Sequence, residues 1–305
     1  MSLDNKQMTG VTVDDQGSGI NHWLRLPDEM SLYILRQLPR KSLMTVSLVN
    51  WKLRDLSLSL CTELSLDYEY IKRNEESCKE FIQRCKKLTC LEITNKTNTL
   101  AWLNFMTVAI GAKETLKSLD VHSNIRIRMP AAMEVLGCLK NLTSLTLTIS
   151  LVARAGAKML EELANLEKLE VLNLVISGNH DNLPVLNLKS VFKKLKKLKK
   201  VDIALDYVYE VVGECFVVAL ATNNPDLTEL RLMNYPSLTD ETLELLANSC
   251  LGLEEFSSWC VTLCQINRAL TDSGIERMVS LAKNLRKLCL DRGPQMTRCW
   301  FLIDD

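Results

Sequence analysis

The stretch Leu142-Thr143-Ser144-Leu145-Thr146-Leu147 carries leucine at its first, fourth and sixth places with small polar residues between. The phrase returns as Leu88/Leu91/Ile93, Leu116/Leu119/Val121, Leu169/Leu172/Leu174, Leu198/Val201/Ile203, Leu227/Leu230/Leu232 and Leu285/Leu288/Leu290, with weaker copies at Leu64/Leu66 and Leu253/Phe256. Its middle apolar residues fall at 64, 91, 119, 145, 172, 201, 230, 256 and 288, so the spacings are 27, 28, 26, 27, 29, 29, 26 and 32. In a short strand the side chains alternate, so the fourth and sixth residues face one way and their neighbours the other. One such unit cannot close a core by itself. Units stacked side by side bury the apolar residues continuously and build a parallel sheet.

Between the phrases the apolar period changes from two to about 3.6, the mark of a helix in each unit. Cys78, Phe81, Ile82 and Cys85 lie on one helical face, and Leu100, Leu103, Met106 and Ile110 repeat the pattern, as do Met159, Leu160 and Leu163. Leu238-Thr239-Asp240 and Leu270-Thr271-Asp272 each open a helix, with the aspartate suited to cap the free amides. At the ninth place of the phrase, Asn124, Ser150, Ser177 and Asp206 can bond to neighbouring backbone. The fold class is α/β: a leucine-rich-repeat solenoid over 61–292, with its parallel sheet on the concave face and helices on the convex face. Cys260 to Asn267 reads as a protruding loop, and in the tail, 293–305, Trp300 to Ile303 can cover the last unit.

Residues 1–21 are polar and without periodicity, the texture of a disordered leader. From 22 to 60 the chain reads as an all-α head of three helices. Leu26-Pro27-Asp28-Glu29 is a helix start, Met30, Ile34 and Leu38 lie four apart, and Pro39 is a stop. A second helix opens near Lys41-Ser42 with Leu43, Val46, Val49 and Leu53 inward, and a third from about Trp51. Leu32, Leu35 and Leu48 exceed one apolar stripe, which suggests a partner.

Leu-Pro-Asp-Glu, an apolar helix ending in Leu-Pro, a basic pair and then Ser-Leu-Val before a tryptophan resemble the F-box. With repeats following directly, the chain resembles an F-box/leucine-rich-repeat protein over about residues 22–290, and Cys85 and Cys250, three residues before a strand leucine, resemble the cysteine-containing class of these repeats. The resemblance implies that the head docks on the Skp-family adaptor, and through it on a cullin–RING ubiquitin ligase, while the repeats hold a protein substrate. It also implies adaptor contacts at Leu26, Pro27, Ile34, Leu35, Leu38, Leu43, Val46, Leu48 and Val49. The sequence departs from the family where Asn50 and Leu53 replace the usual cysteine and tryptophan and the tryptophan stands at Trp51.

Alternation places Asp120, His122, Asn173, Asp202, Glu229, Arg231 and Met233 on the concave wall as substrate-binding candidates, with Lys200, Glu255 and Lys287 sharing that wall. The wall is small, polar and of mixed charge, which suits a protein ligand; nucleic acid would need a basic wall or stacking rings. Lys plus Arg and Asp plus Glu both number 37, so nothing in the overall charge draws the chain to nucleic acid or an anionic membrane. The run Lys193 to Lys200 keeps its leucines in repeat register and reads as a solvated outer face.

No catalytic motif appears, the three histidines stand apart, and no metal or other cofactor is expected. Without a signal-peptide pattern in Met1 to Gly10 or a CxxC pair among eleven cysteines, the expectation is reduced thiols and a cytoplasmic or nuclear protein. The functional expectation is a non-catalytic substrate receptor of an SCF-type ligase. The alternative is a repeat scaffold without ligase function, whose head only caps the solenoid.

Overall fold

A computed structural model describes residues 26–95, 101–103, 114–121, 125–127, 136–151, 161–178, 188–206, 216–235, 238–259, 270–290 and 300–303. The expected leader, His122, Asn124 and the Cys260–Asn267 loop lie outside these residues, as do the side chains of Ser150, Asp206 and 300–303. The chain divides between Leu60 and Cys61 into two compact units.

The first unit holds three helices, α1 (Asp28–Leu35), α2 (Arg40–Val46) and α3 (Trp51–Ser59), with α1 and α2 both packing on α3. Pro27 and Pro39 stand just before α1 and α2, where a missing amide costs no helical bond, and Asp28 and Glu29 sit at the positive end of α1. Asn50 caps α3, its side-chain oxygen accepting from the Leu53 amide at 2.9 Å. Lys52 ties α3 to the start of α1, meeting Asp28 Oδ1 at 3.1 Å and the Leu26 carbonyl at 2.5 Å. Leu35, Leu53 and Leu58 are buried. One expectation fails here. α2 ends at Val46, so Val49 falls in the following turn and is exposed rather than directed inward.

The second unit runs β1 (Glu63–Asp67), α4 (Tyr68–Arg73), α5 (Glu75–Arg84), β2 (Cys90–Thr94), β3 (Ala101–Leu103), β4 (Ser118–Val121), β5 (Ile125–Ile127), β6 (Ser144–Leu151) and β7 (Val171–Gly178). It continues as α6 (Leu188–Lys194), β8 (Lys200–Asp206), α7 (Phe216–Asn223), β9 (Glu229–Met233), α8 (Asp240–Ser249), β10 (Glu255–Trp259), α9 (Asp272–Leu281), β11 (Lys287–Leu290) and β12 (Trp300–Ile303).

Nine strands, β1, β2, β4 and β6 to β11, pair in parallel in sequence order. The middle apolar residues of all nine phrases, Leu64, Leu91, Leu119, Leu145, Leu172, Val201, Leu230, Phe256 and Leu288, are direct neighbours along the ladder. All nine are buried. Each such side chain withdrawn from water stabilises the unit by about 1.5–3 kcal/mol, before conformational entropy is counted.

The repeat is equally regular in its backbone. Eight residues just ahead of a strand, Thr62, Thr89, Lys117, Thr143, Glu170, Lys199, Thr228 and Glu254, each lend their carbonyl to two successive amides of the next unit, between 2.7 and 3.0 Å. The hydroxyls of Thr89, Thr143 and Thr228 donate to the same carbonyls. Helices α6 to α9 pack each on the next. Between them Phe192 stacks on Phe216 at 5.2 Å, and Phe216 meets Tyr235 at 4.8 Å. Antiparallel β12 covers β11, as the apolar tail suggested.

Two helix expectations are corrected. Ala101–Leu103, read as part of a helix from Leu100 to Ile110, is strand β3 and pairs in parallel with β5. Its partner Ile125-Arg126-Ile127 is β-branched on both sides and favours extended backbone, and pairing across units overrides the local 3.6-residue pattern. The caps of α8 and α9 are Thr239 and Thr271, not the aspartates; their hydroxyls accept from the Thr242 and Gly274 amides, each at 3.2 Å. Asp240 is one residue too far along to cap α8. It instead accepts from the Thr271 amide at 2.9 Å and from the Thr271 hydroxyl at 2.6 Å, linking successive units. The ninth-place expectation holds at Ser177, whose hydroxyl donates to the Ile149 carbonyl at 3.4 Å. Among the described residues no helix is long and apolar enough to cross a membrane.

Candidate functional site

Two surfaces carry the residues that the sequence singles out. On the helical unit, the turn after α2 and the first residue of α3 present Leu48 at 73% exposure and Trp51 at 69%, with Val49 exposed between them. Large apolar groups exposed so close together on a small unit make this turn a candidate contact surface. The Asn50 cap explains the local sequence: it starts α3 so that Trp51 points to solvent while Leu53 turns inward. Met30 and Tyr33 on α1 are exposed as well, and neither belongs to the predicted set.

Of that set, Pro27 is exposed, and Leu26, Ile34, Leu38, Leu43 and Val46 are half-buried. Leu35 is only 1% exposed and offers no surface to a partner; its place among the adaptor contacts is corrected to an internal packing residue.

On the sheet, alternation leaves one side chain in two on the face opposite the buried leucines. Asp120, Thr146, Asn173, Asp202 and Arg231 occupy one continuous row across β4, β6, β7, β8 and β9. The row thus joins four of the predicted wall residues, while Glu229 belongs to the row before and Met233 to the row after. Asn173 donates to the Thr146 hydroxyl at 3.3 Å, so this part of the row is tied across strands.

At β8 to β11 the charges interlock. Arg231 meets Glu255 with two parallel bonds, Nε to Oε1 at 2.9 Å and Nη2 to Oε2 at 3.1 Å, the fork geometry suited to a carboxylate. Lys287 donates to the same Glu255 Oε1 at 2.8 Å, and Lys200 donates to Glu229. Glu255 is the organising acid. Sequence reasoning placed Glu255, Lys200 and Lys287 on the wall but not in the site. The signal was their register, since Lys200, Glu229, Glu255 and Lys287 are successive neighbours.

The bond from Arg231, and then that from Lys287, holds the Glu255 carboxyl below the usual carboxylate range. Burial pushes Asp202 the other way, upward, against the pull of Arg231 and with some help from Glu255. Cys250 in the helical layer is pushed up to about 12 by burial, which leaves an inert thiol whose Sγ lies 3.5 Å from the Asn224 carbonyl. Among the described residues no group of three or more His, Cys, Asp or Glu could hold a metal ion.

The model of the F-box domain family matches residues 23–63, the segment that contains α1 to α3. No curated protein sequence matches the chain. Among solved structures, a chain in the crystal structure of the Rad7 and Elc1 complex in yeast is similar at 18% identity and a TM-score of 0.47, over 92% of each chain.

Proposed function

We propose that this protein is the substrate-recognition subunit of an SCF-type E3 ubiquitin ligase, active in the cytoplasm or nucleus. The F-box match at residues 23–63 carries the reading. The helical head docks on a Skp-family adaptor, with Leu48 and Val49 as exposed anchors and Pro27, Leu26, Ile34, Leu38, Leu43 and Val46 around them. The adaptor connects to a cullin–RING ligase. The repeats form a leucine-rich-repeat solenoid of the cysteine-containing class, whose open sheet face holds a protein substrate through Asp120, His122, Asn173, Asp202, Glu229, Arg231 and Met233.

The receptor supplies no catalytic group. Holding the substrate beside a ubiquitin-loaded enzyme raises the effective concentration of its lysines, and that proximity is the whole contribution.

The test is a pull-down of Skp adaptor and cullin by the intact chain, by a Leu26→Ala/Pro27→Ala variant and by Leu48→Asp, after circular dichroism has shown equal helix content. Capture by the intact chain, with loss in both variants, is the expected result. Failure of the intact chain to capture the adaptor overturns the proposal and leaves a repeat scaffold whose head is only a cap.

A further inference from the structure

The charged lattice on β8 to β11 sets three cations against two carboxylates, and the two signs differ by layer. Lys200, Arg231 and Lys287 have side chains 51%, 39% and 48% exposed, whereas their partners Glu229 and Glu255 are 28% and 14% exposed. A partner approaching this face therefore meets cationic heads first, held upright by carboxylates beneath them.

The cations also keep donors in hand. An ammonium has three N–H groups, and Lys200 and Lys287 each commit one in the bonds described; Arg231 has five and commits two. What the three cations leave uncommitted are donors alone. Glu255, by contrast, is covered by Arg231 and Lys287 and is the least exposed of the five.

The spacing selects the shape of the ligand. Lys200 on β8 and Lys287 on β11 are three strands apart, about 14 Å at the usual strand separation. In an extended peptide, side chains on one face recur every 6.6–6.8 Å or so, so acids at i, i+2 and i+4 span about the same distance. A peptide crossing the strands can set one carboxylate near each of Lys200, Arg231 and Lys287. Pre-paired cations keep their geometry without the ligand, so little ordering is left to be done on binding.

We propose that the face formed by Lys200, Arg231 and Lys287 is a docking site for an extended acidic segment of a protein partner, with carboxylates at alternate positions. The inference deepens the receptor reading and rests on it for the identification of that partner as substrate.

The probe is a fluorescein-labelled peptide, Gly-Glu-Ser-Glu-Ser-Glu-Gly, titrated with the intact full-length chain by fluorescence anisotropy, beside a peptide with lysine in place of each glutamate. The acidic peptide binds saturably and more weakly as salt rises, and the basic one does not bind. Lys200→Gln and Lys287→Gln each weaken the acidic peptide about 3- to 10-fold, and Arg231→Gln weakens it more. Arg231→Gln also uncovers Glu255, so the two exposed lysines decide the matter if that variant melts early.

A quadruple variant, Lys193→Gln/Lys194→Gln/Lys196→Gln/Lys197→Gln, serves as the control, because these exposed lysines lie on another part of the unit. It leaves binding unchanged. Loss of binding in the quadruple variant, equal binding of the basic peptide, or no effect at Lys200 and Lys287 overturns the proposal. The adaptor pull-down on the same preparations separates the two readings. Adaptor capture without peptide binding sinks the docking site alone, and peptide binding without adaptor capture sinks the ligase reading alone.

Discussion

Gly274 occupies the third position of α9, where alanine would ordinarily improve a helix by up to about 1 kcal/mol. In this fold the substitution destabilises. A Cβ at Gly274 would stand 2.1 Å from both Cγ and Oδ1 of Asp240 and 2.7 Å from its Cβ, and so short a side chain has no far end that can swing clear. The carboxylate must leave, and with it go its bonds to the Thr271 amide and hydroxyl. Hydrogen bonds to a charged group contribute about 1.5–3 kcal/mol each. Allowing for water that replaces part of this at a half-buried site, and for the helix gain, Gly274→Ala costs about 2–4 kcal/mol. The assay is urea unfolding of the parent, Gly274→Ala, Asp240→Ala and the double variant, with amide exchange at Thr271 as the local reading. Once Asp240 is alanine the added methyl no longer meets a carboxylate, though it still stands 2.7 Å from the Cβ at 240, so the double variant loses less than the sum of the two single losses. Strictly additive losses, or a Gly274→Ala protein more stable than the parent, would refute the latch between units.

Asn224 is buried at a place where preceding units carry Leu139, Leu166 and Leu195, and its amide donates to Leu195 and Leu220 while accepting from the Leu198 amide at 2.8 Å. Asn224→Ala leaves buried backbone groups without partners and lowers stability by about 2–4 kcal/mol in urea unfolding, and an unchanged midpoint would contradict this. Glu255 has a depressed folded pKa, so its ionisation stabilises the protein above the unfolded value, about 4.3, and that contribution is lost as pH falls through the folded value. Melting temperatures between pH 3 and 7 fall less steeply for Glu255→Gln than for the parent; parallel curves would remove the pair from the stability of the face.

Strand positions were legible because three separate constraints agree in each phrase. Alternation chooses the buried side, burial on that side demands apolar residues, and stacking demands that the phrase recur in register. Helix positions obey only the first two within their own unit. A segment such as Ala101–Leu103 can therefore satisfy a helical spacing and still be claimed by a neighbouring strand, β5, that its own residues do not reveal. The Asp240 error has the same origin. An aspartate beside a threonine at a helix start reads as a cap in isolation, and only the next unit, bringing Thr271 and a glycine without a Cβ, shows that the threonine caps and the aspartate latches. On the open face, alternation placed Asp202, Glu229 and Arg231 together, but which acid holds the arginine is decided one strand further on. Arg231 has Asp202 as its neighbour on β8 and Ser257 on β10, yet its two bonds go to Glu255, one row away on β10, where Lys287 bonds the same carboxylate. Pairing of this kind depends on which side chains of three successive strands converge on one carboxylate, an arrangement that emerges only after the strands are stacked.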